Sequence, residues 1–313
     1  MNNTLVFLSD YEAAEEFEAV FNLLRPHGIE GILAKPKDVI VASVNGEQHF
    51  FFKGHKLSPT LVIGYTYEDD LLPGMRLLTQ FREAGIKVLN DGETLYYGQH
   101  KDVSSMRLSA STDIKHMPYM MCSADLVHHI IDAIGFPCVA KPINGACGLG
   151  LYKFDDEASF RAWISAPVAA VGVNSGSHRD YYVQPYIEKK DGVDYRIACI
   201  GHQAVYAYER RSSNGGWVTN LSSNGLGKIV SLDILGNEAL TMAESASRAI
   251  GSLFCGVDLA FDIQGRPFII EANTCPAIKI SRYIPGACDG LERAFATYLL
   301  DNHLNQKNEE DKQ

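Results

Sequence analysis

Two apolar runs late in the chain, GVDLAFDI (256–263) and PFIIEAN (267–273), are separated by a short polar stretch around Gln264 and Gly265. Runs of this length broken by a turn read as a β-hairpin. The constraint lies in what interrupts them: Asp258 in the first run, Glu271 and Asn273 in the second. Residues two apart on a strand share a face, so Glu271 and Asn273 point the same way and Asp258 can lie opposite them. Val257, Leu259, Ile269 and Ile270 argue for a covered sheet, although the pattern alone also suits the solvent-facing polar side chains of an exposed hairpin. Two carboxylates and an amide oxygen on one face would make a hard site suited to Mg²⁺ carrying phosphates. Carboxylates crowded in this way are costly without a cation. Asp262 reads as the residue that opens the turn.

The rest of the chain divides into three stretches and a tail. Residues 1–97 alternate strand and helix signals: a strand at Thr4–Leu8, a helix over Tyr11–Leu24 with Phe17, Val20, Phe21 and Leu24 on one face, a strand at Leu61–Tyr65, and a helix over Leu71–Ala84 stopped by Gly85 before IKVLN. Asn45–Gln48 and Lys53–Pro59 read as loops between short strands. This pattern predicts a small α/β domain. Residues 98–183 contain a helix over Ser123–Ile134, a buried strand FPCVAK, a glycine-rich loop, a strand LYKF, a helix over Glu157–Ile164 and a poorly patterned connector, Ala166–Ser177. The third stretch, residues 184–302, takes up at its start the strand YYVQPYI, which ends at Ile187. It carries strands in RIACI, GHQAVYAYERR and GKIVSLD, a helix over Leu240–Leu253, the hairpin, and a last helix over Leu291–Leu300. Residues 303–313 are nearly all polar and are expected to be disordered.

Three further constellations bear on chemistry. Lys141 ends an apolar strand just before Gly145-Ala-Cys-Gly148-Leu-Gly150, where backbone N–H groups can approach phosphate oxygens closely. The loop is neither a Walker A sequence nor a Rossmann fingerprint, and a plain turn fits it equally. Gln184-Pro-Tyr-Ile-Glu188, followed by Asp194-Tyr-Arg196, offers a strand edge to an adenine and carboxylates to a ribose. Pro185 has no N–H to give, so Tyr186 and Ile187 are the expected backbone contacts. Read alone, this is also ordinary strand-to-loop sequence. Glu209-Arg210-Arg211 with Asn220 suits a phosphoryl or carboxylate group in transfer, or else a surface ion pair.

Composition narrows the function classes. The 313 residues, 46% hydrophobic and 21% charged, suit a soluble globular chain of one to three domains. A formal net charge of -10 argues against nucleic acid as a generic partner. The opening MNNTLVFLSD lacks the basic start and long apolar run of a secretory signal, and no segment is long enough to cross a bilayer. The seven cysteines form no CxxC pair, which points to buried thiols in a reducing cytoplasm. The histidines show no zinc spacing, and no GxSxG elbow is present.

Taken in order, FPCVAKPINGACGLG, YYVQPYIEKKDGVDYRIACIG, YERRSSNGGWVTNL and GVDLAFDIQGRPFIIEANTCP resemble the ATP-grasp superfamily, and within it the RimK-like branch of carboxylate–amine ligases. The resemblance spans about residues 98–300. It implies an α/β (α+β) ATP-grasp fold: a pre-ATP-grasp α/β domain (1–97), and two subdomains (98–183 and 184–302) that clamp ATP. It implies that Lys101 and Lys141, with Gly145, Gly148 and Gly150, hold the phosphates. Gln184, Tyr186 and Ile187 would line the adenine pocket. Asp194, in preference to Glu188, would hold the ribose. Asp258, Glu271 and Asn273 would bind one or two Mg²⁺ ions, for which Mn²⁺ can substitute. Arg210 and Asn220 would face the γ-phosphate and an acyl-phosphate.

The implied activity is amide formation from a small carboxylate and an amine in the cytoplasm, with neither nucleic acid nor membrane as partner and a homodimer as the default assembly. A kinase on the same fold and a non-catalytic ATP-binding regulator are the alternatives. The chain departs from the branch pattern where substrates are expected. Val218 and Ser223 replace basic residues, Pro185 replaces a frequent acidic one, and the loop after the hairpin reads Asn273-Thr-Cys-Pro276-Ala277 where Asn-x-x-Pro-Gly is usual.

Overall fold

A parallel sheet of order β2-β1-β6-β7 begins the chain, formed by β1 (Asn3–Ser9), β2 (Ile29–Ala34), β6 (Leu61–Tyr65) and β7 (Lys87–Leu89). The computed structural model describes residues 3–9, 14–145, 148–166, 180–223 and 225–304. A parallel strand in the middle of a sheet is covered on both faces, and β1 shows how the sequence meets that demand. Leu5 and Phe7 pack with Phe17, Val20, Phe21 and Leu24 of α1 (Ala14–Leu24). Val6 and Leu8 point the other way, to Leu77, Leu78 and Phe81 of α2 (Leu71–Glu83). Between β2 and β6, the antiparallel strands β3 (Val39–Val44), β4 (Glu47–Phe52) and β5 (His55–Leu57) form a small sheet pinned by a stacked Phe50–Phe81 pair at 4.2 Å. The segment Lys53–Pro59, expected as a loop, thus holds a strand. Lys53-Gly54 takes the two-residue turn itself, with φ positive at both residues, and frees His55–Leu57 to pair back on β4.

Two helices, α3 (Gly92–Gln99) and α4 (Lys101–Ser109), lead into the middle of the chain. Asp91 caps α3 by accepting the Thr94 N–H at 2.9 Å. An antiparallel sheet follows, of order β10-β9-β11-β8: β8 (Met120–Met121), β9 (Cys138–Pro142), β10 (Tyr152–Phe154) and β11 (Tyr181–Pro185), with α5 (Val127–Ile134) and α6 (Glu157–Ser165). Their apolar side chains form a core of their own, around Ile130, Phe154, Phe160, Ile164 and Tyr181. The expected boundary at 183/184 cuts through β11, whose Gln184 and Pro185 pair with Val139 and Cys138; the change of sheet comes after Pro185. The connector at 167–177, Cys147 and the tail from 305 lie outside the described residues.

The third sheet is antiparallel, of order β14-β13-β12-β15-β16: β12 (Val193–Ile200), β13 (Gln203–Arg211), β14 (Leu226–Val230), β15 (Phe254–Phe261) and β16 (Pro267–Asn273). One face packs against Ala239, Met242, Ala243, Ala246 and Ile250 of α7 (Gly236–Ile250). That helix ends three residues before the expected Leu253, because the Gly251 N–H turns back to the carbonyls of Ser247 and Arg248. The other face packs against α8 (Gly290–Leu299), where Phe254 and Phe295 stack at 4.3 Å and Phe7 of the first sheet lies 6.3 Å from Phe295. The first and third sheets therefore share one continuous core.

No helix among the described residues is long and apolar enough to cross a membrane. Cys122, Cys138, Cys199 and Cys255 are buried free thiols, and burial pushes Cys122, Cys138 and Cys255 up to about 12.

Candidate active site

The hairpin forms as its sequence requires. β15 and β16 pair with Asp258 opposite Glu271 and Gly256 opposite Asn273. The register shifts between Asp258 and Leu259, so that β16 spends one extra residue, Ile270, between Glu271 and Ile269. Asn273 Nδ2 donates to Glu271 Oε1 at 3.2 Å, which leaves the amide oxygen as the outward acceptor. Among the described residues no group of three His, Cys, Asp or Glu side chains could hold a metal, so a cation here would need that amide oxygen as its third donor. Two facing carboxylates and one amide oxygen fit a hard divalent cation.

Lys141 faces this pair from the middle sheet. It sits on β9 opposite Tyr182 and is buried. Burial lowers its pKa to about 8, against the opposing pull of Glu271 and Asp258. Lys101 reaches the same place from α4. Its N–H donates to the Ile143 carbonyl at 3.0 Å, docking the start of the helix on the end of β9. Its Nζ donates to the Gly145 carbonyl and lies 3.9 Å from Glu271 Oε2. Burial would raise the Glu271 pKa, but Lys101, Arg196 and Lys141 outweigh it and hold the carboxyl at about 2. The described glycines of the loop border this region, with the Gly145 carbonyl on Lys101. Gly148 has φ +73, and a Cβ there would stand 2.9 Å from Asn220 Oδ1, so the expected loop and Asn220 do meet.

Gln184, on β11, is fully buried, and neither its Oε1 nor its Nε2 has a partner among the described residues. An amide left so is costly unless a ligand supplies both an acceptor and a donor, as an adenine edge does. Nearby, Ile187 and Ile270 pack on Met117, Ala260 and Phe268, an apolar pad of the kind a purine ring needs. The Tyr186 N–H, expected as an adenine contact, already donates to the Pro137 carbonyl at 2.8 Å, which passes the donor role in this stretch to Ile187. The Tyr186 ring meets Trp217 edge-on at 6.0 Å, and Lys153 Nζ stands 4.3 Å from its centroid.

Asp194 accepts from Arg210 Nε at 2.7 Å, from Lys189 Nζ at 3.0 Å and from the Thr219 hydroxyl. Arg210 Nη2 also contacts Asp258 Oδ2 at 2.9 Å, and the Arg210 side chain is 4% exposed. Burial would raise the Asp194 pKa, but Arg210 and Lys189 more than offset it and the carboxyl is lowered. Asp194 is thus enclosed by protein donors, and Arg210 braces two carboxylates.

Sequence reading named Arg196 only as part of a motif and gave no role to Lys189 or Thr219. Arg196 donates to Asp258 with two arms, Nε to Oδ1 at 2.6 Å and Nη2 to Oδ2 at 2.7 Å. Strand period was the available signal, since Asp194 and Arg196 are two apart on β12 just as Glu271 and Asn273 are on β16. His116 was also missed. It bridges to Ile269, and its buried Nε2 has no partner among the described residues. Burial lowers its pKa to about 4, with Lys141 adding to the effect.

A family model described as the RimK-like ATP-grasp domain matches residues 100–288. The chain belongs to the RimK-like ATP-grasp family. Among RimK-like relatives, a probable alpha-L-glutamate ligase of Methanococcoides burtonii is 26% identical over 273 residues, covering 86% of this chain and 83% of the relative. Another, of Chromohalobacter salexigens, is 26% identical over 259 residues, covering 80% of each. Among solved structures, the ATP-grasp ligase PsnB complexed with a phosphomimetic variant of a minimal precursor, Mg and ADP matches with TM-score 0.69 and 14% identity, covering 96% of this chain and 98% of that one. The VanG D-Ala:D-Ser ligase from Enterococcus faecalis matches with TM-score 0.71 and 15% identity, covering 96% and 98%. At those identities the likeness is one of fold. As a RimK-like ATP-grasp protein the chain is an ATP-dependent ligase that forms C–N bonds.

Proposed function

We propose that the chain uses ATP to convert a carboxylate of a small amino acid or peptide into an acyl-phosphate, which an amine then attacks to give an amide, ADP and phosphate. The observation that carries this reading is the opposition of Lys101 and Lys141 to Asp258, Glu271 and Asn273 across one cleft. A carboxylate oxygen is a poor leaving group, and phosphorylation corrects that. The protein's task is then to align the donor phosphate with the carboxylate and to offset the charge that builds between them.

Lys101 and Lys141 are assigned to the nucleotide phosphates, and Gln184, Ile187 and Ile270 to the adenine. Gly145, Gly148 and Gly150 form the cover that keeps water from the activated acyl group, with Asn220 against it. Asp258, Glu271 and Asn273 would hold one or two Mg²⁺ ions. A bound Mg²⁺ supplies charge neutralisation at the phosphates. The lysines alone would also steer polyphosphate into the cleft of a chain whose overall charge is negative.

The test is a phosphate-release screen with Mg-ATP against pooled amino acids and short peptides, with mass spectrometry of the product. Hydroxylamine added in place of the amine should trap the acyl-phosphate as a hydroxamate. A stable phosphorylated product with no free phosphate would instead make the protein a kinase. ATP binding without turnover of any carboxylate would make it a regulator.

A further inference from the structure

Asp258 is the most enclosed of the three groups assigned to the cation, at 2% exposure, and its carboxylate already has partners. Arg196 grips both oxygens, at 2.6 and 2.7 Å, and Arg210 adds a third contact to Oδ2 at 2.9 Å. A divalent cation needs an Asp258 oxygen at 2.0–2.6 Å, so it must compete for this carboxylate with the arginine arms already on it. Accepting the reading of Asp258, Glu271 and Asn273 as metal ligands, we infer that Arg196 is a positioning residue that keeps Asp258 closed to a bare divalent cation and yields it when nucleotide phosphates arrive, so that metal and nucleotide enter together.

Three observations carry this. The first is the two-armed geometry itself, which takes one lone-pair position on each oxygen and, with Arg210, leaves about one of four open. The second is charge. In this network three carboxylates, Asp194, Asp258 and Glu271, face five cationic side chains, Lys101, Lys141, Lys189, Arg196 and Arg210. That leaves an excess of positive charge, which repels a lone dication and attracts a polyphosphate. The third singles out which arginine moves. Arg210 is shared between two buried carboxylates and its side chain is 4% exposed, whereas the Arg196 side chain is 17% exposed and its Nη2 already lies 3.9 Å from Glu271. Arg196 has room to move, whereas Arg210 is held between Asp194 and Asp258 with almost no exposure.

The experiment titrates the full chain, free of nucleotide, with Mn²⁺ and reads bound Mn²⁺ by electron paramagnetic resonance. Wild type is compared with Arg196→Gln, Arg196→Lys and the double variant Arg196→Gln/Asp258→Asn. The expected result is weak binding by wild type and binding about tenfold tighter by Arg196→Gln, with the gain abolished by Asp258→Asn, because an opened carboxylate becomes a ligand. A purely structural role would lower affinity, so a gain is diagnostic. Should Arg196→Gln fail to fold, Arg196→Lys keeps the charge without the two-armed grip and should show a smaller gain. Folded Arg196 variants with wild-type Mn²⁺ affinity overturn the inference. So does wild type that binds Mn²⁺ as tightly without ADP as with it. ADP affinity measured with and without Mg²⁺ separates this failure from failure of the wider reading: if Asp258→Asn leaves the effect of Mg²⁺ intact, the metal assignment falls and the inference falls with it.

Discussion

Lys101 Nζ lies 3.9 Å from Glu271 Oε2, although the two residues stand at opposite ends of the ATP-grasp region. The same ammonium group donates to the Gly145 carbonyl, so one side chain ties the glycine loop, the first turn of α4 and the hairpin together. Each of the following expectations comes from a contact of this kind.

Replacing Glu271 by Ala removes a carboxylate assigned to the cation and the partner of Lys101. Turnover with Mg-ATP should fall by about 100-fold or more while the fold persists. Phosphate release and circular dichroism on the same preparation check both halves, and undiminished turnover would take Glu271 out of the metal site.

Gln184 should show opposite effects on stability and on binding. Its buried amide has no partner among the described residues, so Gln184→Met should stabilise the free protein by about 1 kcal/mol and weaken ADP binding roughly tenfold. Thermal melts and calorimetric titration report the two. Loss of stability with unchanged ADP affinity would remove Gln184 from the adenine pocket.

The pH dependence of binding follows from Lys141. Its pKa falls from 10.5 unfolded to about 8 folded, so the folded protein loses this charge as pH rises through 8. ADP affinity should therefore decline between pH 7 and 9.5, and Lys141→Arg should flatten the decline. Stability moves the other way. Between about 8 and 10.5 the unfolded chain binds the extra proton, so this group's contribution to stability of the free protein rises with pH. Titration calorimetry and melting across that range test both signs.

Phe295 joins the first and third sheets, with Phe254 stacked on it at 4.3 Å and Phe7 at 6.3 Å. Phe295→Ala should cost about 3–5 kcal/mol. Because the core is shared, the two parts should lose stability in one transition, which probes placed in each part can follow.

The hairpin was legible because its signal is local: two apolar runs, a turn, and polar residues two apart. The glycine loop and the lysine before it were legible for the same reason. What escaped was pairing. Nothing in the sequence around Arg196 shows that β12 lies beside β15 with Arg196 opposite Asp258. That register depends on a long-range match of strands whose apolar residues tolerate several alignments. The pairing of Asp194 with Arg210 was not legible either, because it is β12–β13 register that sets them directly opposite one another. The strand β5 was missed for a smaller reason, that three residues after a tight turn carry too short a pattern to read.

The middle sheet keeps its apolar core to itself, while the sheets before and after it are fused through a common one. Between the two bodies the apolar contact narrows to a small pad in which Met117 and Ile187 meet Ala260 and Phe268, so neither large core is shared across the join. Beside the pad stand polar contacts, such as Lys101 to the Gly145 carbonyl. A join of that kind puts most of the contact between the two bodies into polar groups that water can also satisfy.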